Sequence, residues 1–434
     1  MEKIRKKISF HTLGCKLNFA ETSTIARSFP EDQFEIVRAG AKADIYVINT
    51  CSVTDVAERK CRQTIKKLHH QSPDAVIAVT GCYAQLNPEK ISSIPGVDFV
   101  LGNNEKYDLA AFLKNAEKKE IPEVHSCELS DKDSFFPSFS AGDRTRSFLK
   151  VQDGCNYKCS YCTIPLARGI SRNHDIASIV REAEQIAGNG IKEIVLTGVN
   201  IGDFGKTTGE SFYDLLTQLT AVEGIERYRI SSIEPNLLTD EIIELTAGSS
   251  KILSHFHIPL QSGSDKVLGL MRRRYRRIDF EKRVTMIRKL MPLAGIGADV
   301  IVGFPGESDE LFDETFSFIK DMPLSYLHVF KFSERPGTPA QKMPDKVPFR
   351  IREERSRRLI NISNLKHSEF CSVNFGTRAE VLFEHTPSKG MISGFTENYL
   401  KTELPWDPEL AGTIRKVLLT GVSGSGRMKC ELIN

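Results

Sequence analysis

No apolar run in this chain approaches the roughly 20 residues that a membrane-spanning helix needs. The apolar stretch behind the basic start Met1-Glu2-Lys3-Ile4-Arg5-Lys6-Lys7 is too short and too polar for a signal peptide. Charge of one sign is not in excess either. Lys and Arg number 59 against 56 Asp and Glu, so net charge alone points to no partner. These absences leave no candidate for a membrane-spanning helix and lead to the expectation of a cytoplasmic protein, where thiols stay reduced. Ten cysteines in such a compartment read as metal binding or catalysis rather than a disulfide framework.

One further absence is local. Cys155-Asn156-Tyr157-Lys158-Cys159-Ser160-Tyr161-Cys162 has two closely spaced cysteine intervals but no fourth Cys or His beside it; His174 is twelve residues past Cys162. Zinc ribbons want four ligands as two pairs. Three thiolates this close can instead hold three irons of a cubane iron–sulfur cluster, leaving the fourth iron open to a small molecule. Gly154 allows a sharp turn ahead of the loop, whose N–H groups can face cluster sulfurs.

At 434 residues, two or three domains are the prior. The first, about 1–140, reads as α/β. Ile8–Leu13 leads to Cys15, Ile45–Thr50 to Cys51 and Ala75–Thr80 to Cys82, with helical stretches at Ala20–Ser28 and Val56–His69. Such alternation implies a parallel sheet, whose ligands bind outside the carboxyl ends of its strands. Cys15, Cys51 and Cys82 would therefore converge at one edge. Cys61, inside a predicted helix, and Cys127, in a polar connection, read as packing or surface cysteines. Leu109–Lys119 predicts a further helix, and Ser130–Arg146 reads as a linker.

From 141 to 370 a βα rhythm repeats. Leu149–Val151, Glu193–Thr197, Tyr228–Ser232, His255–Pro259, Ala298–Val302 and Leu327–Phe332 are predicted strands. Helices are predicted at Ile176–Ala187, Tyr213–Leu219, Ile278–Leu290 and Glu310–Lys320. Six βα units suggest a partial, open relative of the eight-fold barrel, with chemistry at the C-terminal strand ends. Asn200, Ser232, Glu234, Gln261 and Ser262 lie at those ends and are candidate cofactor-binding residues, with Tyr161 in the cysteine loop. Two basic stretches, Met271–Lys289 with nine Lys or Arg and Lys346–Lys366 with seven, suggest a polyanion such as nucleic acid. Residues 371–434 change to short strands, Thr377–Glu384, Met391–Thr396, Tyr399–Glu403 and Thr413–Thr420, the pattern of a small β-barrel. Trp406, the only tryptophan, could stack on a base or simply pack, and Cys371 and Cys430 look incidental.

At these residues a resemblance enters. Cys155-x-x-x-Cys159-x-Tyr161-Cys162 resembles the signature of radical S-adenosylmethionine (SAM) enzymes. Three further cysteines before it, Ile164-Pro165-x-x-Arg168-Gly169-x-Ser171-Arg172, Pro259-Leu260-Gln261-Ser262-Gly263-Ser264 and Asp299–Glu307 resemble the methylthiotransferases of that superfamily. The resemblance implies an α/β multidomain protein: an N-terminal parallel α/β domain, a central partial (βα)6 radical-SAM barrel and a C-terminal TRAM-type β-barrel that binds RNA. It implies two 4Fe–4S clusters, one on Cys155, Cys159 and Cys162 and an auxiliary one on Cys15, Cys51 and Cys82. It further implies SAM, a tRNA anticodon stem-loop and an electron donor such as a flavodoxin or ferredoxin as partners. Gly14-Cys15-Lys16-Leu17-Asn18 resembles the branch acting on N6-threonylcarbamoyladenosine in tRNA, although Phe19 departs from the Gln often found there. The isopentenyladenosine branch usually has Gln-Met-Asn after that cysteine and the ribosomal-protein S12 branch Pro-Lys-Asn. A rival of another class is a non-catalytic iron–sulfur RNA-binding protein, which would form no 5′-deoxyadenosine from SAM.

Overall fold

Strand-length apolar runs that are buried on both faces build the first sheet. In this computed structural model, which describes residues 5–52, 54–126, 128–129, 134–142 and 144–433, six parallel strands pair in the order β2-β1-β3-β4-β5-β6. They are β1 Lys6–Thr12, β2 Phe34–Val37, β3 Ile45–Thr50, β4 Val76–Gly81, β5 Phe99–Leu101 and β6 Glu123–His125. Every residue of β3 and β4 is buried. The strand order reverses between β1 and β3, and a crevice opens outside the carboxyl ends at such a point. Cys127, Met1–Ile4 and part of the Ser130–Arg146 stretch lie outside the described residues.

The helices Lys16–Arg27 and Asp55–Gln71 flank this sheet; Thr54 caps the second by accepting the N–H of Ala57 at 3.2 Å. Cys61 sits within it, fully buried beside Ile65 and Leu68, so it packs. The predicted helix Leu109–Lys119 is cut short at Leu113. Asp98 is the reason: it accepts Lys118 Nζ at 2.9 Å and the Lys119 N–H at 2.8 Å, drawing the chain into an extended path toward β6.

The central strands form one curved, parallel wall. β7 Ser138–Phe139 is an antiparallel edge on β8 Arg146–Lys150, followed by β9 Glu193–Thr197 and β10 Arg227–Ile230. β11 His255–His257, β12 Gly295–Val302 and β13 Tyr326–Lys331 continue it through the bridges Tyr228–Ile252 and Ser232–His257. Helices cover the outside, and Leu149, Leu196, Ile230, Phe256, Ile296 and Val300 belong to one core. The wall does not close on itself. The N-terminal domain spans the gap: Thr24 of the helix Lys16–Arg27 exchanges hydrogen bonds with Phe139 of β7. At the other edge Arg335, just past β13, binds Asp55 at 2.5 Å, the Ser52 carbonyl at 2.9 Å, and Glu58.

The last strands, β14 Arg378–Phe383, β15 Met391–Phe395, β16 Lys401–Pro405, β17 Ile414–Val422 and β18 Met428–Leu432, close a five-stranded barrel. Cys371 and Cys430 are buried in its core. Trp406 sits in a turn, about a third exposed, with its backbone N–H on the Gly390 carbonyl at 3.0 Å. This barrel docks on the amino-terminal end of the wall. Arg229 donates to the carbonyls of Glu397 at 3.0 Å and Thr396 at 3.2 Å while Glu193 holds its Nε at 2.9 Å.

The two basic stretches divide between the interior and the surface. Arg355 pairs with Glu307 and Asp309, Arg358 with Asp313, and Lys366 donates to the carbonyls of Lys320 and Met322. In the first stretch Arg288 ties down the carbonyls of Pro323, Pro292 and Ala294. These side chains cap and clamp neighbouring helices. Arg272, Arg274, Arg276, Lys282 and Lys289 of the first stretch and Lys346, Arg350 and Arg357 of the second remain exposed.

Candidate active site

β8 delivers the Cys155–Cys162 loop at the carboxyl end of the wall. Gly154 has φ +68° and a Cβ there would stand 1.8 Å from the Ile170 carbonyl oxygen, so only glycine fits. Each sulfur of the loop receives a donor. The Tyr157 N–H points to Cys155 Sγ at 3.4 Å, the Ile164 N–H to Cys162 Sγ at 3.5 Å, and Arg273 Nη1 to Cys159 Sγ at 3.2 Å. Burial pushes the Cys155 thiol up to about 11 and that of Cys162 up to about 12. Thiols so desolvated ionise on binding a metal, which supplies the missing positive charge.

Other candidates gather around this loop. Tyr161 lines a cavity of about 220 Å³ with Gln261, Asp299, Phe332, Thr54 and Arg335. Gln261 adopts φ +63° and is pinned by its N–H on the Asp299 carbonyl at 2.8 Å. Burial raises the Glu234 carboxyl against the pull of its ion-pair partner Arg273. Asn200 is buried; its amide donates to Asp203 at 2.9 Å, but Oδ1 has no partner, an acceptor awaiting a donor. Ser232 is half-buried beside His257. Ser262 is not brought to the cavity: its hydroxyl is fully buried against Thr315 at 3.1 Å, where it anchors the turn.

The second set assembles at the reversal of the first sheet. Cys15 caps the helix Lys16–Arg27, Cys51 follows β3, and Cys82 opens the short helix Cys82–Leu86. A Cβ on Gly14 (φ +123°) would stand 2.7 Å from Cys51 Cβ, so glycine lets these segments meet. Cys15 Sγ lies 3.6 Å from Asn18 Oδ1; that oxygen accepts Arg168 Nη2 at 3.0 Å, and Arg168 Nε reaches Cys82 Sγ at 3.3 Å.

Arg168 is the residue that sequence reasoning left without a role. It lies six positions beyond Cys162, at the end of the helix Ile164–Arg168, yet is buried among residues of the other domain. Its Nη1 pairs with Glu21 at 2.8 Å and Asp153 at 3.0 Å. Lys106 at 2.8 Å and Lys150 at 3.6 Å also face Glu21. Burial opposes ionisation of Glu21, but Arg168, Lys106 and Lys150 overcome it and hold the carboxyl well below the usual carboxylate range. Two carboxylates against Arg168, Lys106 and Lys150 leave this buried group positive, and the surplus adjoins Cys82. That is a fitting counter-charge for thiolates carrying an iron–sulfur group. Both cysteine sets thus fit such a group, three soft donors apiece with N–H or guanidinium donors on sulfur.

The chain resembles known proteins over most of its length. A model described as the Radical SAM superfamily matches residues 149–319, and one described as Uncharacterized protein family UPF0004 matches 7–102. The chain is 42% identical over 421 residues to "Threonylcarbamoyladenosine tRNA methylthiotransferase MtaB" of Bacillus subtilis (strain 168), covering 94% of this chain and 93% of that protein. Its Aquifex aeolicus (strain VF5) namesake is 39% identical, with 95% and 100% covered. A "tRNA-2-methylthio-N(6)-dimethylallyladenosine synthase" of Syntrophus aciditrophicus (strain SB) is 34% identical, with 92% and 86% covered. Among solved structures, the radical SAM methyltransferase TsrM of Kitasatospora setae shares the fold, with TM-score 0.58 and 14% identity over 77% of this chain and 75% of that one.

Proposed function

The chain belongs to the threonylcarbamoyladenosine branch of the radical SAM tRNA methylthiotransferases, and from that premise we propose that it adds a methylthio group at C2 of N6-threonylcarbamoyladenosine at position 37, beside the anticodon. The observation that carries the reading is the Arg168 bridge: a residue anchored just behind the Cys155–Cys162 loop touches Cys82 of the other set. Two cysteine triads locked together suit a reaction that needs a radical and a sulfur at one carbon.

In this reading Cys155, Cys159 and Cys162 hold the radical-generating 4Fe–4S cluster, and Cys15, Cys51 and Cys82 an auxiliary one. When bound, the first supplies, with SAM, the carbon radical that removes a hydrogen, and the second supplies the sulfur. The protein's share is positioning. Asn200 Oδ1 and Glu234 offer acceptors for the SAM amino group, and Tyr161 and Gln261 bound the space beside them. Arg273 sets the charge at Cys159 and Glu234 together. The N-terminal domain lies across the open wall, where Arg335 at the rim of the cavity holds the Ser52 carbonyl.

The separate cores support three domains, read from the sequence as 1–140, 141–370 and 371–434, with Phe135 and β7 packing on the central wall. The partners would be SAM, the tRNA anticodon stem-loop and a donor such as a flavodoxin or ferredoxin. No described helix is long and apolar enough to cross a membrane, and we place the enzyme in the cytoplasm with its tRNA. Nucleoside mass spectrometry of tRNA from a strain lacking the gene tests the reading. The 2-methylthio derivative should vanish and its threonylcarbamoyl precursor accumulate. Its persistence, in a strain with no second copy of the gene, would refute the assignment.

A further inference from the structure

The inner face of the open wall carries a polar group that neither cysteine set uses. His257 of β11, Asp299 of β12 and His328 of β13 meet there. His257 Nε2 lies 2.9 Å and His328 Nδ1 3.3 Å from the same oxygen, Asp299 Oδ1. The register puts Asp299 directly opposite His328. His257 is fixed from behind, its Nδ1 3.3 Å from the Tyr326 hydroxyl. Tyr326 lies where β12 has no side chain: a Cβ on Gly297 would stand 2.2 Å from its Cζ. The glycine is therefore what lets the ring brace the histidine.

Hydrogen bonds complete this group on one side only. Asp299 Oδ2 and His328 Nε2 make no hydrogen bond to a described residue, and the His328 side chain is 56% exposed. Asp299 also lines the cavity that holds Tyr161 and Gln261. Asp299 thus borders the space beside the Cys155–Cys162 loop, with His328 next to it on the neighbouring strand. Asp299 Oδ2 is an acceptor, and so is His328 Nε2 in the tautomer whose Nδ1–H donates to Oδ1.

Resting on the functional reading above, we propose that Asp299 and His328 read the N6 substituent of the substrate base. They would accept hydrogen bonds from its ureido N–H and threonyl hydroxyl. A hydrocarbon substituent would desolvate these groups and return nothing. A site built for such donors rejects an analogue lacking them far more strongly than an apolar pocket rejects a missing methylene.

The test uses reconstituted full-length enzyme with SAM and two anticodon stem-loops that differ only at position 37, threonylcarbamoyladenosine in one and isopentenyladenosine in the other. Wild type should bind the first about 100-fold more tightly or better. His328→Phe and Asp299→Asn should each cut that ratio by about 10-fold or more, chiefly through weaker binding of the first loop. His328→Gln, which keeps an acceptor, should retain more of the preference than His328→Phe. Iron content equal to wild type shows that a changed ratio comes from the wall and not from a lost cluster. Unchanged ratios in both His328→Phe and Asp299→Asn, or a wild type with no preference, overturn the proposal. Failure of the functional reading itself shows differently, as wild-type enzyme that does not methylthiolate the threonylcarbamoyl loop.

Discussion

Arg168 Nε donates to Cys82 Sγ at 3.3 Å across the boundary between the central wall and the N-terminal sheet. Its two Nη groups meanwhile hold Glu21, Asp153 and Asn18. One guanidinium therefore sets the distance between the domains and the charge at a cluster-type cysteine.

Removing it should disturb both. Arg168→Ala leaves Glu21 and Asp153 buried with less counter-charge, a change that costs about 3–5 kcal/mol when a buried pair is broken. Lysine cannot reproduce five fixed donors, so Arg168→Lys should recover only part of the loss. Denaturant unfolding gives the stability, and iron per chain after reconstitution reports the auxiliary set. Arg168→Ala protein with wild-type stability and iron content would contradict the role.

A second prediction concerns pH. Glu182, on the helix Ile176–Gly188, has a buried Oε2 with no hydrogen-bond partner. Burial raises its carboxyl from 4.5 to about 7, against the weaker pull of Lys150 and Arg27. The folded value lies above the unfolded one, so the contribution to stability is intact below 4.5 and is lost as pH rises through about 7. Glu182→Gln should therefore stabilise the protein by about 1–2 kcal/mol at pH near 8.5 and by almost nothing near pH 4, after discounting for partial exposure. Thermal midpoints at both pH values check the sign.

Strand ends were legible because β3, β4 and β9 are uninterrupted apolar runs closed by a polar or glycine turn. That was enough to bring Cys15, Cys51 and Cys82 to one edge. β2, β5 and β6 were not legible, being only three or four residues long. The helix Phe349–Val373 was masked by its own arginines, which read as a charge run although Arg355 and Lys366 point inward to a carboxylate and to carbonyls. Arg168 and the His257–Asp299–His328 group were out of reach for another reason. Their partners lie on other elements, and no spacing along the chain encodes contacts across strands or domains.

The docking of the terminal barrel yields a third prediction. Arg229 is fully buried and bonds the carbonyls of Thr396 and Glu397 while paired with Glu193. Arg229→Met removes those bonds and weakens the neutralisation of Glu193, which keeps only Arg146 at 3.9 Å and Arg227 at 4.0 Å. Breaking a buried pair is costly, so the barrel should undock more often. Proteolysis between 373 and 378, where the long helix ends, should speed up about 10-fold, the equivalent of about 1.4 kcal/mol. An unchanged cleavage rate would mean that the barrel is held mainly by other contacts, such as Asn398 Nδ2 on the Leu293 carbonyl at 2.8 Å.

The cysteines themselves separate by role. Cys159→Ala should abolish both 5′-deoxyadenosine formation and methylthiolation, because that sulfur belongs to the loop gripped by Arg273. Cys15→Ala should abolish methylthiolation while 5′-deoxyadenosine still forms, because the loop at Cys155–Cys162 stays intact. Cys61→Ala should do neither. Its thiol, pushed up to about 12 by burial, sits in the core beside Ile65 and Leu68, so its loss should cost about 1 kcal/mol of stability and leave both products. Product assays on the three variants resolve the assignment. Methylthiolation by Cys15→Ala would remove Cys15 from the sulfur-supplying set, and loss of 5′-deoxyadenosine in the same variant would mean that the two triads are not separable in function.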